Sequence, residues 1–365
     1  MKQVQLILAG GFLGAGKTTL LERTARRLME QGRRVGLVTN DQAPELVDSE
    51  MLRQGRLAVA EVAGSCFCCN FNGLVDALKK LGETIRADVI LAEPVGSCAD
   101  LSSTILQPVK KFLKAEVRVS PLTVLADPAR LAAVLKGEDA GLHEDVAYIY
   151  RKQLEESDLI LISKSDTLAP DALERLKAET ARAFPASRVM SVSALRGEGI
   201  DAWLDDLEAH TDAGTHLLNI DYDRYAHGEA VLGWLNGTLA LRGAETDANG
   251  LLLALMNGFQ ARLAAQSLRV GHVKAIVENG PLYAVGNITG TAGALTFRGD
   301  AGRGTSLRII VNARVECTPE ELDRLVRETL DDAFRGLGET EVLAWRCLQP
   351  GRPNPTYRFG EVVSA

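Results

Sequence analysis

Leu6–Leu20 reads Leu-Ile-Leu-Ala-Gly-Gly-Phe-Leu-Gly-Ala-Gly-Lys-Thr-Thr-Leu, and the reading of this stretch decides the fold. Gly11 to Thr18 spells Gly-x-x-x-x-Gly-Lys-Thr, the pattern of a phosphate-binding loop. Val4–Ala9 ahead of it is an apolar run of strand length, and Thr19–Gln31 behind it has helical spacing that stops at Gly32. Glycines at 10, 11, 14 and 16 let the chain turn left-handed and bring bare N–H groups up to an anion. The helix start near Lys17 adds its positive dipole end at the same spot. Gly14, Ala15, Gly16, Lys17, Thr18 and Thr19 are therefore expected to hold a nucleotide's phosphates. Lys17 would reach the β- and γ-phosphates as a catalytic cation, and the Thr18 hydroxyl would ligate Mg²⁺. The plain alternative is a Gly-rich strand-to-helix turn. A secretory signal starting at Lys2 is not expected, because Lys17 and the glycines interrupt the apolar stretch.

Working outward, residues 1–210 alternate short apolar runs with amphipathic ones, the pattern of a doubly wound α/β domain with a mostly parallel sheet. Strands are expected at Val4–Ala9, Arg34–Thr39, Leu57–Val62, Asp88–Ala92, Arg118–Ala126, Asp158–Ser163 and Arg188–Val192. Helices are expected at Leu74–Glu83, Leu101–Leu113, Glu144–Glu156 and Asp171–Ala183. Functional residues should gather in the loops at the carboxyl ends of those strands.

The 365 residues are enough for two cores, and 46% hydrophobic with 24% charged residues is ordinary for a globular protein. No run of 18 apolar residues occurs, so no membrane partner is expected. The formal charge of −7, with no dense basic block, argues against nucleic acid as a partner. Three of the six cysteines fall within four residues, which points to a reducing compartment and thiolates kept for metal or redox chemistry.

The strand-end loops carry the candidates. Asn40-Asp41-Gln42-Ala43-Pro44-Glu45, running on to Asp48, is an acidic loop where Asp41 could meet Mg²⁺; a polar surface loop is the equal alternative. Cys66-Phe67-Cys68-Cys69 packs three thiols too closely for three independent core positions, since adjacent residues on a strand face opposite ways. In a loop Cys66, Cys68 and Cys69 can converge on one soft cation as thiolates, leaving a position open for handing the metal over. A redox pair or buried structural thiols are the alternatives. Glu93-Pro94-Val95-Gly96 places an acid at the end of an apolar strand, where it would order Mg²⁺ or the attacking water. Cys98 follows and reads more readily as a spectator than as a further thiolate. In Ser163-Lys164-Ser165-Asp166, Asp166 could accept two hydrogen bonds from guanine with Lys164 along the base plane; a helix cap is its alternative. Ser193 and Ala194 could contact the guanine oxygen through their backbone.

Together these motifs resemble the CobW-type GTPases, relatives of the nickel chaperones for urease and hydrogenase. The resemblance covers residues 1 to about 210 and rests on Gly11–Thr18, the Asn40-Asp41 loop, the cysteine triplet, Glu93-x-x-Gly96, Lys164-x-Asp166 and Ser193-Ala194. It implies a cytoplasmic GTPase with GTP, Mg²⁺ and Zn²⁺, Co²⁺ or Ni²⁺, delivering metal to a client metalloenzyme, and related GTPases dimerise across the nucleotide. Ser163 stands where the base-reading motif usually has Asn, and Ala43 and Pro44 depart from the family's acidic loop. The alternative function is a GTP-gated activator of a corrinoid or other cofactor enzyme with purely structural zinc; a small-molecule kinase is weaker.

Residues 211–228 are polar and aperiodic and read as a linker. Residues 229–349 read as a smaller α+β domain, with strands at Ala230–Leu241, Gly271–Glu278, Leu282–Ile288, Gly293–Phe297 and Leu307–Ala313 and helices at Gly250–Ser267 and Pro319–Phe334. Thr318-Pro319-Glu320-Glu321 has the form of a capping box. Cys317 and Cys347 read as ordinary core thiols, and residues 350–365 as a tail.

Overall fold

A computed structural model describes residues 3–41, 57–289 and 295–364. Leu6 and Leu8 face one core while Ile7 and Ala9 face another, because successive strand side chains alternate and helices cover both sides of the strand. That strand, β1 (Val4–Gly11), is central in the first sheet, followed in the chain by β2 (Val35–Asp41), β3 (Ala58–Ala63), β4 (Val89–Glu93), β5 (Val117–Val119), β6 (Thr123–Ala126), β7 (Leu159–Ile162) and β8 (Arg188–Ser191). The order across it is β3-β2-β4-β1-β6-β7-β8, with β5 also on β1 and every pairing parallel. The doubly wound expectation is met.

The expected single strand over residues 118–126 is two. Residues 117–119 pair with the start of β1 and residues 123–125 with its end, and the break holds Pro121, which has no N–H for a ladder. The crossovers are helices α1 (Lys17–Glu30), α2 (Phe71–Thr84), α3 (Gln107–Phe112, entered through a π turn at Ser102–Leu106), α4 (Pro128–Leu135), α5 (Glu144–Glu155), α6 (Pro170–Ala183) and α7 (Ile200–Ala209). The stretch read as aperiodic contains part of a further helix, α8 (Tyr222–Ala230), started by Asp221, whose carboxylate accepts from the Asp223 and Arg224 N–H groups.

The second sheet is antiparallel: β9 (Leu232–Asp247), β10 (Val270–Asn279), β11 (Leu282–Ile288), β12 (Thr296–Asp300), β13 (Arg303–Glu316) and β14 (Gly338–Leu348), ordered β12-β11-β10-β13-β9-β14. Helices α9 (Ala248–Ala265) and α10 (Pro319–Phe334) close its apolar face around Leu255, Phe259, Val273, Val311 and Val326. The Thr318 capping box forms as read, with Glu321 N–H donating to Thr318 Oγ1 at 3.2 Å and Thr318 N–H to Glu321 Oε2 at 3.0 Å. Strand β14 escaped the sequence reading because residues 338–343 are exposed and hold the polar run Glu-Thr-Glu, which has no core face to betray it. The opposite face of this sheet carries Trp234, Asn236, Thr238, His272, Asn312 and Arg314, all buried. No helix among the described residues is long and apolar enough to cross a membrane.

Candidate functional site

The loop after β1 is built from left-handed glycines: φ is 128° at Gly11, 77° at Gly14 and 93° at Gly16. A Cβ on Gly11 would stand 2.4 Å from Leu125 O, so the tight turn admits no side chain there. Lys17 then opens α1, donates to Gly11 O at 2.9 Å and lies 3.8 Å from Glu93 Oε1. Thr18 Oγ1 donates to the same carboxylate oxygen at 3.1 Å. Lysine, hydroxyl and carboxylate are all buried. A hydroxyl and a carboxylate side by side at the positive end of a helix fit a Mg²⁺ and its waters, and the lysine beside them fits the terminal phosphates. The Asp41 side chain and residues 42–56, with the rest of the acidic loop, lie outside the described residues.

At the ends of β7 and β8 the candidate base-reading residues come together. Ser193 Oγ donates to Asp166 Oδ1 at 2.6 Å, and Arg196 N–H donates to Ser193 Oγ at 3.2 Å. Lys164 takes a left-handed φ of 51° and pairs with Asp127 Oδ2 at 2.8 Å. Asp127 was not singled out in the sequence; it caps α4 by accepting from the Ala129 and Arg130 N–H groups, and an Asp-Pro pair at the end of an apolar strand is the signal that could have found it. Ser163 is buried and donates to Ala126 O at 3.2 Å. Ala194 packs, partly buried, on the core beneath α1 and α7.

The three loop thiols converge. Cys66 Sγ and Cys68 Sγ are 2.8 Å apart, Cys68 Sγ and Cys69 Sγ 3.8 Å, and all three sulfurs lie within 4.8 Å of one another. The turn is held by the Cys69 and Asn70 N–H groups donating to Cys66 O, after which Asn70 caps α2 through Gly73 N–H at 3.0 Å. The hydrogen bond from Cys68 holds the Cys66 thiol well below its ordinary range, while hydrogen bonding to Cys66 pushes Cys69 up to about 11. One thiolate stabilised by neighbouring thiols is a donor set suited to a soft divalent cation, which would complete the deprotonation.

Three neighbours of this cluster were not legible as such. Cys98 is fully buried and near enough to Cys66 and Cys68 for their thiols to perturb its own, so it borders the three-sulfur cluster. Asn40, read with the nucleotide loop, braces the cysteine loop: its Nδ2 donates to Val62 O and Ser65 O at 2.8 Å, and its Oδ1 accepts from Phe67 N–H at 2.7 Å. The C-terminal tail crosses the loop, with Asn354 N–H donating to Cys69 Sγ at 3.2 Å, Thr356 N–H to Cys68 O at 2.8 Å and Thr356 Oγ1 to Cys69 O at 3.1 Å. Behind the cluster Glu229 is buried and hydrogen-bonded to Ser97 Oγ at 2.5 Å; burial pushes its carboxyl up to about 8.

A model of the CobW/HypB/UreG nucleotide-binding domain matches residues 5–191. A Pseudomonas aeruginosa protein named zinc chaperone CobW is 29% identical over 231 residues, 54% of this chain and 58% of its own length. The Escherichia coli K12 protein named zinc chaperone YjiA is 32% identical over 82 residues, 22% of this chain and 25% of its own. The chain thus spans less than two thirds of either relative. Among solved structures, HypB from Helicobacter pylori in complex with nickel gives a TM-score of 0.41 at 19% identity, covering 60% of this chain and 92% of that one. Zn(II)-bound YjiA GTPase from E. coli gives 0.37 at 15%, covering 93% and 100%.

Proposed function

The chain belongs to the CobW/HypB/UreG family, and from that premise we propose that it is a cytoplasmic GTPase that binds zinc at Cys66, Cys68 and Cys69 and delivers it to a client metalloenzyme under control of the bound nucleotide. Lys17 neutralises the terminal phosphates, Thr18, Asp41 and Glu93 organise Mg²⁺ and the attacking water, and Asp166 with Lys164, Ser193 and Ala194 selects guanine. Both curated relatives are named zinc chaperones, which supports zinc over cobalt or nickel as cargo. The related GTPases' dimerisation across the nucleotide carries over as part of the same reading.

The observation that carries the coupling is Asn40. It is the penultimate residue of the strand that leads into the acidic nucleotide loop, yet its side chain holds the backbone around the cysteine loop at three points. A rearrangement of that loop on nucleotide binding therefore pulls directly on the thiols. Cys98 supplies the second connection, two residues beyond Gly96 and bordering the three sulfurs.

The test is a zinc titration of nucleotide-free, GDP-loaded and GTP-analogue-loaded protein, beside the triple variant C66S/C68S/C69S. One zinc per chain with a dissociation constant that depends on nucleotide is expected, and loss of that site in the variant. Identical constants in all three nucleotide states would remove the coupling. Unchanged zinc affinity in the variant would remove the cysteine site.

A further inference from the structure

Gly228 of α8 lies so close to α5 that a Cβ there would stand 2.6 Å from Asp145 O and 2.8 Å from Ile149 Cδ1. That approach gathers side chains that the chain keeps far apart, Asp145 and His227 being 82 residues distant in sequence. His227, in the last turn of α8, donates from Nδ1 to Asp145 Oδ2 at 2.6 Å. His143 caps α5, its Nδ1 accepting from Asp145 N–H at 3.2 Å, and the same nitrogen is 3.9 Å from Asp145 Oδ2. The two imidazole centroids are 5.4 Å apart, and one ligand atom from each of the three residues lies within 4.8 Å of the others.

Neutral imidazole nitrogens and a carboxylate are the donor set of a borderline divalent cation. Bonds of about 2.0–2.1 Å at tetrahedral angles put ligand atoms about 3.3 Å from one another. The separations from Asp145 Oδ2, 2.6 and 3.9 Å, straddle that value, so small side-chain rotations suffice. The other carboxylate oxygen is already engaged: Arg224, one turn before His227, donates from Nε to Asp145 Oδ1 at 2.5 Å. An outer partner of this kind orients a ligating carboxylate. The same guanidinium repels a cation, which sets this site below the thiolates in affinity. Access is open, since the His227 side chain is 61% exposed while that of Asp145 is 13% exposed.

We propose that His143, Asp145 and His227 form a second, exchangeable site for a divalent transition-metal cation such as Zn²⁺, sharing no residue with the cysteine loop. The ion takes the Nδ1 position of both rings, whose protons sit on Nε2, at the cost of the His143 capping bond and the His227–Asp145 hydrogen bond. Three protein ligands leave one position to water. Its consequence lies in what else α8 touches. Tyr222 Oη donates to Asp100 Oδ2 at 2.8 Å, Tyr225 Oη accepts from Ala99 N–H at 3.1 Å, and Glu229 accepts from Ser97 Oγ at 2.5 Å. β9 begins at Leu232, directly after α8 ends. The ion therefore clamps to α5 the helix that leads into the second sheet and rests on the segment around Cys98.

The full chain carrying C66S/C68S/C69S, which has lost the thiolates, is titrated with Zn²⁺ beside the same protein with H143N or H227Q added; asparagine keeps the α5 cap. One equivalent should bind, with X-ray absorption showing nitrogen and oxygen ligands and imidazole scattering, and should raise the thermal midpoint. Either added substitution should weaken binding by more than about tenfold, the least that loss of an outer partner costs, and abolish the thermal shift. Wild type titrated with Co²⁺ is the second measurement. The first equivalent should bring thiolate-to-cobalt charge-transfer absorption, and the second only ligand-field bands, which H227Q removes. No zinc bound at roughly 1 mM, equal affinity with and without the two imidazoles, or a second cobalt equivalent that survives H227Q would each overturn the site.

Discussion

Glu156 is a carboxyl with no exposed surface: Oε2 accepts from Ser102 N–H at 3.0 Å, and Oε1 has no partner among the described residues. Burial pushes its pKa well above the ordinary carboxylate range. The folded protein therefore keeps this proton to a higher pH than the unfolded chain does. Its contribution to stability is fully present below about pH 4.5, the ordinary value, and falls as pH rises towards the folded value, by at most about 1.4 kcal/mol per pH unit. E156Q keeps the shape and carries no proton to lose, so its stability should change less between pH 5 and pH 8 than that of wild type. Urea midpoints at the two pH values check this; parallel pH dependences would mean that Glu156 does not titrate in that window. At this scale the sequence is legible where chemistry is compressed into a local motif, as with Lys17, Thr18 and the cysteine triplet. It is silent where a role depends on a partner far along the chain. Asn40 braces a backbone 22 to 27 residues away, and Asp127 meets Lys164 across 37 residues. Neither spacing is a pattern that one strand or helix repeats.

Among the elements, the tail behaves as a strap. Tyr357 packs on Phe71 and Phe112 with ring centroids 5.4 and 5.0 Å away, and Phe359 on Phe112 at 6.2 Å. Arg358 pairs at 2.6 Å with Asp100, whose carboxylate is fully buried and also accepts from Tyr222 Oη at 2.8 Å. Pro350, Pro353 and Pro355 restrict the unfolded tail, so less entropy is lost when it lies down over the cysteine loop. Pro and Gly content marks residues 350–365 as an arm, but its docking site is aromatic surface from α2 and α3, which no local pattern announces. Removing residues 350–365 should expose Cys69, the half-buried member of the triplet, and raise its alkylation rate in metal-free protein about tenfold, equivalent to about 1.4 kcal/mol of lost cover. Mass spectrometry of iodoacetamide-treated protein reads this directly; an unchanged rate would mean the strap does not shield the thiol. R358A, which strands the Asp100 carboxylate with one neutral partner, should cost about 1–3 kcal/mol in chemical denaturation.

For the whole molecule, the question is whether two sheets with separate cores unfold as one body. The cores are distinct, one around Leu6, Phe67 and Ile105 and the other around Leu255, Phe259 and Val311. What joins them near the phosphate loop is concentrated: the three carbonyls held by Arg130, the packing of Leu13 beneath Gly271, and the Glu22–Arg298 pair at 3.5 Å. Alternating apolar runs made both domains readable from the chain, but the joint near the phosphate loop combines one arginine on backbone oxygens with one leucine and one ion pair, none of which carries a periodicity. R130M keeps the length of the side chain over Phe12, where the guanidinium stands 5.1 Å from the ring, and removes all three donors. Leaving those carbonyls to find water should cost about 2–4 kcal/mol, taken as roughly 1 kcal/mol for each bond. Because that loss falls on the joint and not on either core, calorimetry should resolve two unfolding transitions where wild type shows one. A single transition shifted to lower temperature would place the coupling in the Leu13–Gly271 packing instead, because a joint that survives the loss of its donors is held by apolar contact.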